Sequence, residues 1–442
     1  MQRPPPASPQ RRIRLIQALS FTLSVASGKL HANTTPASAS ASGGTAAPPS
    51  PAASPPSAPA AASPPPSPPP SPSPPPVAPQ PLPAELSWKQ ADCLIVHNPH
   101  AIETRREVLG KQVITPTRCL FIRDNALPPA ERLLAQGSEW AVSFSGVAQP
   151  DAYTLAELQA MPTRTVAAVL QCAENGRGLQ AQPAVGTQWQ TGGAGCVIWT
   201  GVPLSTVVQE LGGVNADSRF LTAMGADSLP DGIPSDFTRV ERSVPLSALT
   251  HALLAWQLNG EPLAVAHGGP LRLVLPGYAS INYIKYVKRI AFTRDVSRAH
   301  IQTADYRVPL RPGATDLTIP AWRLPVKSWI TSPTDSDLPI KAGPVRVQGV
   351  AMGGSSAVTR IEVTADGGQH WHTAALTGAD FGPFAWRLFE ITLPLSAGYT
   401  KLACRATNAA GQQQPELTTD NTGYFVNGWR EHQIALTITS AA

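Results

Sequence analysis

Leu170-Gln171-Cys172-Ala173-Glu174-Asn175-Gly176-Arg177 decides how this chain is read. The apolar run Thr165 to Leu170 predicts a strand leading into it, so Cys172 stands in a polar loop. A soft thiolate in such a loop can hold a transition metal. Arg177, five residues later, can hold an oxyanion through bidentate hydrogen bonds. The competing reading of Cys172 by itself is a buried structural thiol.

Upstream, the composition is uneven. The chain has 442 residues and a net charge of +5. Arg3, Arg11, Arg12, Arg14 and Lys29 are the only charged residues before Glu85. The 34 basic residues less those five leave 29, against 29 acidic ones, so the body is neutral. The high pI is therefore no sign of a nucleic-acid or anionic-membrane surface. Residues 1–32 read as an export signal: Arg11-Arg12 precede an apolar stretch from Ile16 to Gly28, too short and too polar to span a bilayer. The paired arginines suggest the twin-arginine route, with an ordinary secretory signal or a basic tail as alternatives. The expected location is periplasmic or otherwise exported, tethered if the signal stays in place, with no integral span beyond it.

Residues 33–83 read as a disordered linker, uncharged and with 20 prolines among 51 residues. Pro runs broken by Ser favour extended polyproline II and build no core. At 3.1 Å per residue the tether would reach on the order of 150 Å. The five cysteines, Cys93, Cys119, Cys172, Cys196 and Cys404, match no zinc spacing and no Cys-x-x-Cys-His haem attachment. Their odd number leaves at least one thiol unpaired.

Two bodies are expected after the linker. In residues 84–325, Leu155 to Met161 and Leu246 to Asn259 have helical spacing. Thr165 to Leu170, Leu263 to Ala266 and Leu271 to Leu275 read as strands, and Gly195 to Leu204 runs strand into turn into helix. This mixture predicts an α+β domain. In residues 326–442, Val345 to Ala351 and Val358 to Thr364 alternate, and Asp366-Gly367-Gly368 turns the chain into His370 to Leu376. Phe384 to Leu393, Thr400 to Ala406 and Tyr424 to Thr437 continue the pattern, which predicts an immunoglobulin-like β-sandwich.

The Cys172 run resembles the metal-ligating Cys-Ala-Gly-Asn-Arg-Arg of the sulfite oxidase family, and further blocks follow in that family's order. Phe121-Ile122-Arg123-Asp124-Asn125 is similar to its Phe-Val-Arg-Asn-His, and Trp189-Gln190-Thr191-Gly192-Gly193-Ala194-Gly195-Cys196 through Leu204 to its Trp-x-x-Gly-Ala block. Asn259-Gly260-Glu261-Pro262-Leu263, His267-Gly268-Gly269-Pro270-Leu271-Arg272 and Pro276-Gly277 come next. Tyr283-Ile284-Lys285-Tyr286-Val287 resembles His-Val-Lys-Trp-Leu. The last body resembles the family's dimerisation domain, ending at Asn427-Gly428-Trp429.

The resemblance implies a molybdopterin-binding domain followed by a β-sandwich dimerisation domain, in a homodimer. It implies molybdenum held by one pyranopterin dithiolene and the Cys172 thiolate; with no haem motif in the sequence, no haem is expected. His267, Arg272 and Lys285 would grip the cofactor's phosphate and pterin heteroatoms, and cationic donors suit a phosphate. Asp227 would accept from pterin N–H groups, and Phe121, Ile122, Arg123, Asp124, Asn125, Tyr283 and Ile284 would complete the pocket. Read singly, His267 could cap a strand, Arg272 and Lys285 could be surface charges, and Asp227 a turn residue before Leu229-Pro230.

The substrate side departs from the family. Arg123 and Arg177 keep two of its anion-holding arginines, but a third position aligns with Thr422. The Tyr position, taken within Ala255-Trp256-Gln257-Leu258-Asn259-Gly260, is Trp256, which offers one donor and no acceptor. Trp256 could equally be a core aromatic. Glu174 replaces a Gly beside the metal Cys, and Asn125 replaces a His. The expected reaction is oxygen-atom transfer at a small oxo-anion or sulfur compound: sulfite to sulfate, with electrons passing to a separate cytochrome c. Alternatives are a subunit of a sulfur-oxidation complex, a reductase of S-oxides or N-oxides, and, from another class, a cofactor-free envelope scaffold or adhesion protein.

Overall fold

A computed structural model describes residues 81–440 apart from 229–239, 312–313, 315–316, 335–336 and 338. The expected export signal and all but the last three residues of the linker lie outside the described residues.

Strands dominate. The longest α-helix among the described residues is Leu204–Glu210, seven residues continuing directly from strand Ala194–Pro203 without a turn. Leu155–Gln159 forms a shorter helix where the apolar spacing predicts one, and its start is fixed by a capping box. The Thr154 hydroxyl accepts from the Glu157 amide, and the Glu157 carboxylate accepts from the Thr154 amide.

The first body holds three sheets that position the site. One is antiparallel: Leu94–Asn98, Ala101–Thr104 and Ile122–Arg123. A second runs Glu261–Pro262, Leu253–Leu258, Ala194–Pro203, Arg164–Gln171, with Arg272–Val274 also paired to Leu253–Leu258. The third runs Asp151–Thr154, Ala141–Ser145, Val287–Thr293, Phe220–Gly225, Glu241–Pro245, with one parallel pair at Ala141–Ser145 and Val287–Thr293. Trp140, Trp189 and Trp199 are fully buried in the core these sheets share. A disulfide joins Cys93 to Cys119 beside the first sheet, and Cys172, Cys196 and Cys404 are free and buried.

Leu246 to Asn259 is not a helix. Leu246–Thr250 makes a 3₁₀ turn, and Leu253–Leu258 is a strand flanked by Ala194–Pro203 and Arg272–Val274. Both of its faces are covered, so its side chains are apolar without alternation, a pattern shared with buried helices. Leu263 to Ala266 is not a strand either. Its end enters the 3₁₀ turn Val265–His267, which presents His267 to the site.

The second body is a sandwich of two sheets. One runs Lys327–Ser332, Gly343–Met352, Arg387–Leu395, Ala375–Thr377. The other runs Ile340–Lys341, Ile434–Thr439, Gly398–Asn408, Val358–Thr364, His372–Thr373. Val347, Ile361, Phe389 and Leu402 lie buried between the sheets, each stabilising by roughly 2 kcal/mol relative to exposure. The predicted hairpin forms, with Val358–Thr364 antiparallel to His372–Thr373 and the Asp366 carboxylate accepting from the Gln369 and His370 amides in the turn. Tyr424 to Thr437 is a strand only from Ile434. The preceding loop leaves the sandwich and touches the Cys172 loop.

Candidate active site

Strand Arg164–Gln171 delivers Cys172. The Cys172 amide extends the ladder by one bond to the Gly193 carbonyl at 2.8 Å, and the chain then turns, with the Asn175 amide donating to the Cys172 carbonyl at 3.1 Å. Gly176 closes the turn at φ 100°, a left-handed conformation that favours glycine. A Cβ there would lie 3.1 Å from Val426 and 3.2 Å from Lys327 Nζ. The sandwich clasps this loop from below: the Phe425 amide donates to the Ala173 carbonyl at 2.7 Å, and Lys327 Nζ to the Asn175 carbonyl at 2.8 Å. Burial pushes the Lys327 ammonium down to about 7.

Cys172 lines a cleft that it shares with residues from both ends of the first body. Phe121, Ile122, Arg123, Asp124 and Asn125 line one side. Asp227, His267, Arg272, Tyr283 and Lys285 line the other. Residues scattered over more than 160 positions of sequence, from Phe121 to Lys285, therefore converge as the spacing of the blocks implies. Ile284 is the exception in its segment, since it faces the core and only its carbonyl serves, accepting from the Leu273 amide.

The far wall is rich in basic groups. Gly268, at φ 98°, lets Lys285 cross close above it; a Cβ there would sit 2.8 Å from Lys285 Cγ. Lys285 Nζ donates to Asp124 Oδ1 and to the Ala266 carbonyl, each at 2.6 Å. Arg272 Nη1 donates to the His267 carbonyl at 2.8 Å, and its guanidinium lies against the rings of Trp199 and Tyr283. His267 Nε2 is 2.9 Å from Lys89 Nζ, and Lys89 also donates to the Leu120 carbonyl at 2.6 Å. Burial depresses all four groups: Lys89 to about 6, Arg272 to about 10, His267 well below its usual value, and Lys285 below its own. Burial also raises the Asp227 carboxyl to about 7.

Three buried polar atoms on this wall have no hydrogen-bond partner: Asp227 Oδ2, Arg272 Nε and Tyr283 Oη. A buried polar group left unpaired is costly. A pterin bearing N–H groups and a phosphate offers the matching partners, so the residues fit the group that the sequence implies. Arg272, His267 and Lys285 would hold the phosphate, and Asp227 the pterin N–H groups. Among the described residues no three His, Cys, Asp or Glu side chains converge as a metal site. Cys172 would thus be the single protein ligand, the dithiolene supplying the other sulfurs. Burial first, and Glu174 next, push the Cys172 thiol up to about 12, while Arg123 and Arg177 pull it down. A metal's positive charge favours the thiolate form in such a place.

Beside Cys172 the charges are paired. Glu174 is buried, its Oε2 lying 3.9 Å from Cys172 Sγ and 3.6 Å from Arg123 Nε. Its Oε1 lies 3.3 Å from Arg177 Nη2, and Trp189 Nε1 donates to Oε2 at 3.2 Å. Arg177 does not line the cleft; it is buried behind Glu174 and under the Tyr424 ring. Thr422 is tied to Asp420 and adds no charge. Trp256 does not line the cleft either, and the expectation that it stands near the metal is corrected. It is packed in the core of the first body, at a bulge in strand Leu253–Leu258. The phenol near Cys172 is Tyr306, whose Oη donates to Asn125 Oδ1 at 2.9 Å. Burial raises the Tyr306 phenol's pKa. Sequence reasoning missed Tyr306, Lys89 and Lys327, which are single residues outside any block, and nothing local marks them.

Comparison with known proteins agrees with this geometry. Residues 129–301 match the family described as "Oxidoreductase molybdopterin binding domain" and residues 319–437 that described as "Mo-co oxidoreductase dimerisation domain". The chain is 30% identical over 357 residues to mitochondrial sulfite oxidase of Homo sapiens, covering 75% of this chain and 63% of that protein. It is 30% identical over 338 residues to sulfite oxidase of Gallus gallus, covering 72% of each. The chain thus spans less than two thirds of the human relative's length. The crystal structure of the sulfane dehydrogenase SoxCD from Paracoccus pantotrophus is similar with a TM-score of 0.64 at 27% identity, over 78% of this chain and 89% of that one.

Proposed function

The chain belongs to the sulfite oxidase family of molybdopterin oxidoreductases, and from that premise we propose that it oxidises a sulfur-centred substrate, sulfite to sulfate in the simplest case. The observation that carries this reading is the convergence of Cys172 with Arg272, Lys285, His267 and Asp227 on one cleft whose buried polar atoms await partners. When bound, molybdenum held by a pterin dithiolene supplies two-electron oxygen-atom exchange. Water supplies the oxygen, and two electrons and two protons leave with each sulfate formed. The electrons pass one at a time to a separate c-type cytochrome.

The chain's own groups orient the reactants. Arg123 reaches the cleft beside Cys172 and offers guanidinium donors to substrate oxygens as charge develops there. Tyr306 keeps its proton because burial disfavours the phenolate, and by donating it to Asn125 Oδ1 it fixes that side chain at the edge of the cleft. The Lys327 and Phe425 contacts hold the Cys172 loop in position. Export is supported by the N-terminal residues and by the Cys93–Cys119 disulfide, which suits an oxidising compartment. The match to a dimerisation domain supports a homodimer.

A second reading is favoured by the likeness to SoxCD: a subunit that works inside a sulfur-oxidation complex. Copurification with a haem protein supports it. The first reading is tested by a steady-state screen of purified holoprotein against sulfite, thiosulfate and organic S-oxides, with ferricyanide or cytochrome c as acceptor. We expect about one molybdenum per chain and turnover of a sulfur compound. Full molybdenum with no turnover of any of them overturns it.

A further inference from the structure

We propose that Glu174 sets the charge of the substrate, favouring sulfur compounds with at most one negative charge at the reacting end over dianionic sulfite. The proposal rests on the sulfur-oxidation reading and narrows it. Among the described residues Glu174 is the carboxylate placed between Arg123, which lines the cleft, and Arg177, buried behind it: it lies 3.6 Å from Arg123 and 3.3 Å from Arg177. The Trp189 indole N–H at 3.2 Å holds the same carboxylate, so it is anchored from three directions and cannot swing away without unpairing buried donors. Its Oε2 is 3.9 Å from Cys172 Sγ, so its charge acts at the place where the substrate must arrive. Thr422, tied to Asp420, contributes no charge to offset it.

Coulomb energy is linear in the ligand's charge. Removing one fixed negative charge therefore strengthens binding of a dianion by the square of the factor for a monoanion, and leaves a neutral ligand unchanged. A purely structural role for Glu174 predicts no such dependence on charge.

The probes are sulfate, methanesulfonate and dimethyl sulfoxide, titrated against full-length holoprotein and followed by the rise in melting temperature. In Glu174→Gln, which keeps an acceptor for Trp189, we expect sulfate to bind about tenfold more tightly, methanesulfonate about threefold, and the sulfoxide unchanged. Glu174→Asp, which keeps the charge, should stay near wild type. Arg177→Gln added to Glu174→Gln should take back most of the sulfate gain. Equal changes for all three probes, or none for sulfate, overturn the proposal. Turnover separates the two readings. If sulfite is oxidised and the probe affinities do not move, the charge filter fails and sulfur oxidation stands. If the charge-graded pattern appears but no sulfur compound is turned over, the filter stands and the sulfur reading fails.

Discussion

On the wall formed by His267, Arg272 and Lys285, four basic groups counting Lys89 face two carboxylates, Asp124 and Asp227, and burial lowers the pKa of every cation. Across the cleft, around Cys172, two guanidiniums share one buried carboxylate, and the loop's backbone is bonded on both sides. The first region is incomplete by itself: its basic groups are buried at an electrostatic cost to their charged forms, with polar atoms left unpaired. In the second, Arg123 Nε and Arg177 Nε also lack hydrogen-bond partners, but both guanidiniums are neutralised by Glu174. The contrast teaches that the wall is shaped for a large anionic group that stays, and the Cys172 side for small ligands that come and go.

The sharpest way to break the contrast is Cys172→Ala. It should remove the metal's contribution to catalysis, several kcal/mol or on the order of a thousandfold in turnover, while pterin is still retained by the wall; fluorescence of released pterin checks retention. Arg272→Ala attacks the other side. Losing charge-assisted bonds to the cofactor should cost about 2 kcal/mol, near thirtyfold in cofactor affinity, read as occupancy in limiting cofactor. Lys327→Met removes the donor to the Asn175 carbonyl beneath the loop. We expect kcat to fall about tenfold, the cost of one such bond, with the sandwich still folded by circular dichroism.

The same contrast explains what the sequence disclosed. Cys172, His267, Arg272 and Lys285 were legible because each sits in a short block of fixed order, and blocks survive as contiguous local structure such as the Gly268 turn. Tyr306 and Lys89 join the site from isolated positions, through contacts that no local pattern encodes. Trp256 reads both ways in the sequence, because an aromatic in a buried strand packs into the core as readily as it faces a ligand, and the fold takes the core reading. Alternation made the sandwich strands readable, since they have a core face and a solvent face. Leu253–Leu258, covered on both faces, carries no such period and reads in sequence like a buried helix. Glu174 was visible as a departure from the family, but its place between Arg123 and Arg177 needed the fold.

A smaller effect sharpens the wall's side through pH. Burial raises Asp227 from 3.8 to about 7. The folded chain therefore binds this proton more tightly than the unfolded chain, and the stabilisation, full below pH 3.8, is lost as pH rises through about 7. In cofactor-free protein, Asp227→Asn should flatten that slope by about 1 kcal/mol, the cleft's water screening the rest. Thermal melts across the interval measure it; an unchanged slope would place the proton elsewhere.

The most direct test of the central claim is X-ray absorption at the molybdenum edge, on wild type and Cys172→Ser. If the Cys172 sulfur is the protein's bond to the metal, the variant loses one sulfur scatterer and keeps those of the dithiolene. An identical sulfur shell in both proteins would contradict the account.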